Sequence, residues 1–350
     1  MHVRYTGCMP GEHAIVRPVR HADLEAVLRL ARSGGNGLTS LPPDRDALEQ
    51  RIAAAVQAID DHKARAAGAP LMLVTEVGDR VVATGMIFAR LGAEWPFYSY
   101  RITRQAALSR SLARSKAQRL LNLVNDFDGE TEVGGLFVDP TMRGMALGQV
   151  MARSRYVFMA FHRSWFGRTV IAELRGYQDE EGRSPVWDAI GRHFYDMEFD
   201  EADRTGAIHG NQFIADLGAR YPIYISMLPP AAQAALGQPH DDGRPAHAML
   251  LAEGFRDEGY VDIFDGGPTL IAEIDSVRTV ASSICATFVG EQVGGAPALL
   301  AVGLGEQFRL VRGSFSADDE GVRLDPTSAQ ALGVSSGDTV RISPNQASVH

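Results

Sequence analysis

The sequence predicts an α+β fold: a central sheet flanked by helices, followed by a helical extension and a small C-terminal β-barrel-like subdomain. Three observations lead there. Residues 131–138, Thr-Glu-Val-Gly-Gly-Leu-Phe-Val, read as a strand stopped by Asp139-Pro140. A glycine-containing turn then runs into a helical pattern through Val150, Met151, Tyr156, Val157 and Met159. Upstream, an alanine-rich amphipathic stretch precedes two β-branched runs joined by Gly78-Asp79, a hairpin turn. Beyond residue 276 the chain changes to short apolar runs punctuated by glycine.

Taken in order, residues 1–13 read as a short extension and Ala14–Val19 as the first strand. Asp23 is placed to cap a helix with Leu24, Val27, Leu28 and Leu30 on one face. Ser33-Gly-Gly-Asn-Gly37 breaks that helix and leads into Leu38-Thr-Ser-Leu-Pro42. Residues 44–67 form the alanine-rich helix, with Leu48, Ile52, Ala55, Val56 and Ile59 as the buried stripe. Leu71–Thr75 and Val81–Phe88 are the hairpin strands, and Trp95–Tyr100 is aromatic and edge-like. Residues 101–130 are polar, and Arg110, Arg114, Lys116 and Arg119 read as a solvated face. After the central motif, Thr169–Arg175 is a strand. Ser184 caps a helix with Pro185 at its first position. His193–Phe199 then reads as a strand that closes the core.

Residues 200–275 read as additional: helices near 210–218 and 229–236, the loop Gly237–Gly243, a helix over 245–253 and the strand Tyr260–Phe264. The expected units are therefore 1–13, 14–275 (core 14–199, addition 200–275) and 276–350.

Composition narrows the function. The chain has 350 residues and a net charge of −9, which argues against nucleic acid or an anionic membrane as the main partner. An anionic small molecule needs only a local basic pocket. Cys8 and Cys285 are too few for a disulfide framework or a cysteine zinc site, and no His/Asp/Glu spacing suggests a metal. No apolar run is long enough to span a membrane, and the N-terminus lacks a signal-peptide core. The default expectation is a cytoplasmic protein.

The chemistry centres on Arg143-Gly144-Met145-Ala146-Leu147-Gly148. The first amides of a helix have no internal partner and the helix dipole adds positive potential there, so a strand–glycine turn–helix unit cradles phosphate. Arg143 adds a fixed cation. Arg-x-x-Ala-x-Gly after a strand ending in Val-Asp-Pro resembles the acyl-CoA pyrophosphate loop of the GNAT superfamily of N-acyltransferases. The usual pattern there is Gln/Arg-x-x-Gly-x-Gly/Ala, and Ala146 replaces the middle glycine. Gly37–Pro42, Ser184-Pro185-x-Trp187, Tyr221-Pro-Ile-Tyr224 and Tyr260-Val-Asp-Ile-Phe-Asp-Gly-Gly-Pro-Thr-Leu270 resemble, in order, the bacterial arginine N-succinyltransferases.

That resemblance implies a GNAT-like mixed sheet in which the 131–138 strand and the next one part to admit the pantetheine arm. It implies succinyl-CoA as co-substrate with no permanently bound cofactor, and L-arginine as acceptor in direct acyl transfer, the entry to arginine catabolism. Rival readings are an acyltransferase for ornithine or another amine, and a non-catalytic acyl-CoA-binding subunit. The expected assembly is a homo-oligomer, a dimer, or a pair with a homologous subunit. Gly37–Pro42 would lie at the acceptor end. The basic cluster around Arg114 has an alternative role at the adenosine 3′-phosphate.

Residue roles follow. Glu132, near the start of the central strand, stands where several GNAT enzymes carry a base carboxylate. Its pKa would need raising by apolar surroundings. The position of the usual tyrosine acid is Trp187, whose indole cannot protonate a thiolate. His240, in Gly237-Gln-Pro-His240, matches the family's proton donor, and imidazole exchanges protons near neutrality. The family's proline after it is Asp241 here, and Asp242 follows; either carboxylate could orient the ring. Leu136 falls at the family's succinyl-CoA contact and would act through its backbone, as would Val138 at the strand's end. For the acceptor, Glu173, Asp262 and Asp265 are the candidate carboxylates and Arg175 the candidate cation. His193, His162 and His62 look like ordinary face residues.

Overall fold

The computed structural model describes residues 14–34, 41–142, 144–199, 201–202, 205–206 and 212–345. The central sheet forms because successive apolar runs send alternate side chains to two helix-covered faces. Its spatial order is β1 (Ala14–Pro18), β2 (Pro70–Val77), β3 (Arg80–Phe88), β6 (Thr131–Val138), β7 (Thr169–Glu173), β10 (Pro268–Glu273), β9 (Arg256–Val261), β4 (Ser99–Ser109), β5 (Arg114–Val124) and β8 (Ile223–Tyr224). Leu71, Leu73, Ala83, Ile87, Val133 and Val170 pack with Val150, Met151, Tyr156 and Val157 of the helix Leu147–Phe161 (here αC). Met72, Val74, Val81 and Met86 face the other way, onto the helices Leu24–Ser33 (αA) and Arg45–Asp60 (αB). β2 and β3 are thus buried on both faces by a two-residue alternation.

One pairing in this sheet breaks the antiparallel rule. β6 and β7 run parallel and pair only at Thr131↔Val170 and Glu132↔Ile171. Past Glu132 the two strands separate, which is the opening the sequence anticipated. On the other edge of β7, β10 pairs antiparallel along its whole length, from Thr269↔Glu173 to Glu273↔Thr169.

Several expectations need correcting. His193–Phe199 is not a strand: Gly191–Tyr195 is helical, and β10 holds the place beside β7. Aromatic packing overrides the alternation here. Tyr195 stacks on buried Trp187 with centroids 5.5 Å apart, and Gly191 is required because a Cβ would sit 2.2 Å from the indole. Residues 101–130 contain most of a long hairpin, β4–β5, paired from Ser99↔Val124 to Ser109↔Arg114. Its outer half buries nothing, so it carries no apolar alternation to read; Arg110, Arg114, Lys116 and Arg119 are exposed there, as expected of a solvated face. The 44–67 helix divides at Asp61, whose carboxylate accepts the Lys63 N–H at 2.8 Å and starts a second helix, His62–Ala66. Asp23 precedes αA but does not cap it forward; its carboxylate receives the Arg20 N–H at 2.8 Å and the Arg17 guanidinium. Residues 1–13 and most of Gly37–Pro42 lie outside the described residues.

At the C-terminus, β11 (Ile284–Glu291), β12 (Ala296–Val302), β13 (Arg309–Asp318), β14 (Gly321–Leu324) and β15 (Thr339–Pro344) follow the order β12–β15–β11–β14–β13, and β12 pairs back with β13 to close a barrel. Leu300, Val311, Val322, Leu324, Val340 and Ile342 fill it. The barrel docks on the back of αC, where the Gly305 N–H donates to His162 Nε2 at 3.0 Å and Arg341 Nη2 to the Ala160 carbonyl at 3.2 Å. No helix among the described residues is long and apolar enough to cross a membrane.

Candidate active site

The turn after β6 has the geometry an anion needs. Gly144 takes φ +91° and Ala146 φ +56°, ψ +19°, a left-handed residue at the N-cap of αC. Alanine cannot cap with its side chain, and among the described residues no side-chain cap bond is made at this helix start. The family's middle glycine is explained by this backbone: the position demands positive φ, which costs a residue with a Cβ roughly 1–2 kcal/mol. Gly148 lies against the strand, where a Cβ would touch Val138 Cγ2 at 3.7 Å. Met145 is half-buried beside Leu147 and Val138. Arg143 lies outside the described residues.

Between this turn and Glu132, β6 bulges. Its register with β3 jumps from Thr84↔Phe137 to Met86↔Gly134, and Gly135 takes φ +55°. A side chain at Gly135 would strike Met86 Cγ at 2.9 Å. Leu136 packs its side chain against the αC core.

The carboxylates expected at the acceptor lie on the sheet face opposite αC. Glu132 pairs with Phe88 on one side and Ile171 on the other, and Glu173 follows on β7 with the same parity, so both carboxyls project from one face. Leu91, Phe127, Ile171, Tyr260 and Ile271, with Phe88, form the apolar surroundings on that face. Burial pushes the Glu132 carboxyl up to about 7, against the pull of the Arg155 guanidinium. Burial, then the nearby charges of Asp262, Glu132 and Asp265, hold Glu173 well above the usual carboxylate range; Thr269 Oγ1 donates to it at 3.4 Å.

Four of the residues singled out in the sequence therefore act on one another electrostatically. Their local duties differ. Asp265 is buried and receives the Gly176 and Gly267 N–H groups at 2.7 and 2.9 Å, tying the end of β7 to the 262–267 loop. Burial raises its pKa and those two amides oppose the rise. Asp262 accepts from the Phe264 and Asp265 N–H groups at 2.7 and 2.9 Å. The exposed Arg175 bonds Gln178.

His240 reaches the same neighbourhood through the main chain. Its N–H donates to the Arg175 carbonyl at 2.8 Å, and Pro239 bridges to Gly176. The Asp242 N–H donates to His240 Nδ1 at 3.2 Å. A main-chain N–H can only donate, so Nδ1 is the acceptor and the neutral ring carries its proton on Nε2. The adjacent carboxylates contribute little: Asp242 is 96% exposed with its oxygen 3.7 Å from Nδ1, and Asp241 pairs with Arg244 at 2.8 Å in solvent. Trp187 is fully buried; its indole N–H donates to the Met197 carbonyl at 3.0 Å and its ring stacks on Phe264, which braces the 262–267 loop. His193 and His62 are exposed, and His162 is a structural link to the barrel. The β4–β5 hairpin is separated from αC by β7, β10 and β9, which leaves the 3′-phosphate role of its arginines without support.

Two residues escaped the sequence reading. Arg155, buried on αC, donates from Nη1 to the Gly134 carbonyl at 3.1 Å, and Thr84 Oγ1 donates to the Gly135 carbonyl at 3.2 Å. Arg155 had a signal: it lies four residues after Met151, on the apolar side of αC. Thr84 had none.

Parallel strands that part beside a helix N-terminus are the architecture of acyl-CoA-dependent N-acyltransferases. The chain belongs to the arginine N-succinyltransferase family. The sequence profile described as arginine N-succinyltransferase beta subunit matches residues 14–279, and that of its C-terminal domain residues 284–344. The arginine N-succinyltransferase subunit beta of Pseudomonas aeruginosa is 37% identical over 332 residues, covering 94% of this chain and 98% of that protein. The arginine N-succinyltransferase of Yersinia pestis is 38% identical over 340 residues, covering 93% and 96%. The solved structure of arginine/ornithine succinyltransferase subunit AI from Pseudomonas aeruginosa superposes with a TM-score of 0.84 at 33% identity, covering 96% of this chain and all of that one.

Proposed function

We propose that the chain transfers the succinyl group of succinyl-CoA to the α-amino group of L-arginine by direct attack, without a covalent enzyme intermediate. The observation that carries this reading is the pair Glu132 and Glu173: two desolvated carboxyls on one face of the sheet, beside the gap between β6 and β7. A carboxyl with a pKa of about 7 accepts a proton from the substrate ammonium at neutral pH. A second one, Glu173, whose pKa is raised by burial and by like charges, gains a counter-charge when a guanidinium enters. The freed amine attacks the thioester carbon. The oxyanion meets amides of the β6 bulge, at Leu136 and Val138. The departing CoA thiolate takes a proton from the imidazolium form of His240, and the second proton of the attacking nitrogen returns to the neutral ring. The amides at 144–148 and the Arg143 cation receive the pyrophosphate, and Arg175 is the cation available to the acceptor's carboxylate. Asp262 and Asp265 shape the loop behind Glu173 and add to its negative field. The setting that fits an intracellular thioester substrate is the cytoplasm.

A second acceptor has support: the Pseudomonas aeruginosa neighbour is an arginine/ornithine enzyme, and ornithine's terminal ammonium would meet the same carboxyls. Both Pseudomonas relatives are named as subunits, so we read this chain as one that pairs with a second copy or a homologous subunit. The test is thiol release by the purified chain from succinyl-CoA or acetyl-CoA with arginine, ornithine or lysine. Release with succinyl-CoA and arginine at the highest kcat/KM supports the assignment. Preference for ornithine changes the acceptor, and no release with any pair leaves an acyl-CoA-binding subunit.

A further inference from the structure

In the β6 bulge, Gly135 and Leu136 together oppose the single residue Gly85 of β3. Residues inside a bulge lose part of their ladder, yet both carbonyls here are tied down by side chains. Gly134 O accepts from Arg155 Nη1 at 3.1 Å and Gly135 O from Thr84 Oγ1 at 3.2 Å. The donors come from opposite faces of the sheet. Arg155 belongs to αC, whereas Thr84 pairs with Val74, which packs under αA and αB. Both are enclosed, Arg155 at 4% exposure and Thr84 at 0%. Gly85 makes the room, since a Cβ there would meet Met151 Sδ at 2.8 Å and Arg155 Cδ at 3.2 Å. Arg155 Nε has no hydrogen-bond partner among the described residues, so this buried guanidinium is costly, and a methionine would fill the same volume without that cost.

A trans peptide holds its C=O and N–H in opposite directions. With Gly135 O turned toward Thr84 on β3, the Leu136 N–H turns away from β3, into the space that β7 vacates beyond Glu132. We propose that Thr84 and Arg155 are positioning residues for acyl transfer: by holding the Gly134 and Gly135 carbonyls they fix the bulge so that the Leu136 N–H points at the thioester oxygen of bound acyl-CoA. This rests on the acyl-transfer reading above. A donor fixed in advance where charge develops stabilises the transition state more than the bound substrate. Arg155 has a second effect, because its charge acts on Glu132 through the strand.

Thr84→Val keeps the shape and removes the hydroxyl. Loss of one oxyanion donor costs about 10²–10³-fold in kcat, and a misaimed one less. The expected fall is thus about 10–100-fold in kcat, with KM for succinyl-CoA within about twofold. Thr84→Ser restores most of it. Arg155→Met lowers kcat likewise and moves the low-pH limb of the kcat profile upward, because the cation beside Glu132 is gone; Arg155→Lys keeps the limb in place. Circular dichroism identifies variants that fail to fold. If Arg155→Met does so, the Thr84 pair decides. A folded Thr84→Val with wild-type kcat, or a loss carried by KM, overturns the proposal. A separate readout needs no turnover: in ¹⁵N-labelled protein the Leu136 amide proton shifts downfield on adding succinyl-CoA to the wild type and not to Thr84→Val. That shift in a chain that transfers no acyl group would overturn the proposed function alone, and its absence from the wild type would overturn the positioning role.

Discussion

At the αC end of the cleft the groups that the proposed function assigns to a ligand are main-chain amides, those of Leu147, Gly148 and the bulge around Gly135. At the β7–β10 end they are carboxyls, those of Glu132 and Glu173, with Asp262 and Asp265 behind them. On the proposed function, the difference follows from what each end must recognise. A pyrophosphate and a thioester oxygen are acceptors, and fixed amide dipoles serve them without changing charge. A substrate ammonium has to lose a proton, and only a titratable group with a tuned pKa can take it. Amide sites are set by backbone shape and so by glycine and turn signals; carboxyl sites are set by desolvation and by neighbours from distant strands.

The largest effects should fall on groups that move protons. If His240 donates from Nε2 to the leaving thiolate, His240→Ala lowers kcat by about 10²–10⁴-fold while KM for succinyl-CoA changes little. Steady-state kinetics with both substrates varied would check this, and near-wild-type turnover would remove His240 from the mechanism. Asp242→Asn should leave kcat nearly unaltered, since it is the backbone N–H of Asp242, not its exposed carboxylate, that holds the ring.

A smaller, selective effect is expected at Glu173. Losing a charged hydrogen bond to the acceptor costs about 1.5–3 kcal/mol, so Glu173→Gln should raise KM for arginine by about 10–100-fold and leave KM for succinyl-CoA unchanged. Equal shifts in both constants would dissolve the division of the cleft into two ends. The smallest effect belongs to the amide end. Ala146→Gly removes a left-handed alanine, and the relief of about 1–2 kcal/mol is partly offset by the entropy of glycine. A rise in the thermal midpoint of about 1–3 °C, read by calorimetry, is expected; a fall would mean the alanine methyl makes contacts that outweigh its strain.

The two ends were also unequally legible. The phosphate turn, the strand before it and the helix after it lie in one continuous stretch whose periodicity and glycines announce them, and the gap beside β6 followed from the family resemblance. The acceptor end draws on β6, β7, the 262–267 loop and the 237–240 loop. Its residues were nameable one by one, but their shared electrostatics arise only when β10 pairs with β7. The misread strand at 193–199 has the same origin, because the stacking of Trp187 on Tyr195 and Phe264 is tertiary information. Asp265 looked like a substrate residue and proves to be bonded to two backbone amides, a duty no local pattern encodes. The β4–β5 hairpin went unseen because exposed strands need no apolar alternation.

The pH dependence of kcat, measured for the wild type and for Glu132→Gln, tests the carboxyl end most directly. Glu132 must be ionised to accept the ammonium proton, so kcat should rise with pH through a half-point at about 7. In Glu132→Gln that limb should vanish and kcat should fall by about 10²–10⁴-fold. A limb at the ordinary carboxylate value of roughly 4.3, or one that survives in Glu132→Gln, would contradict the account.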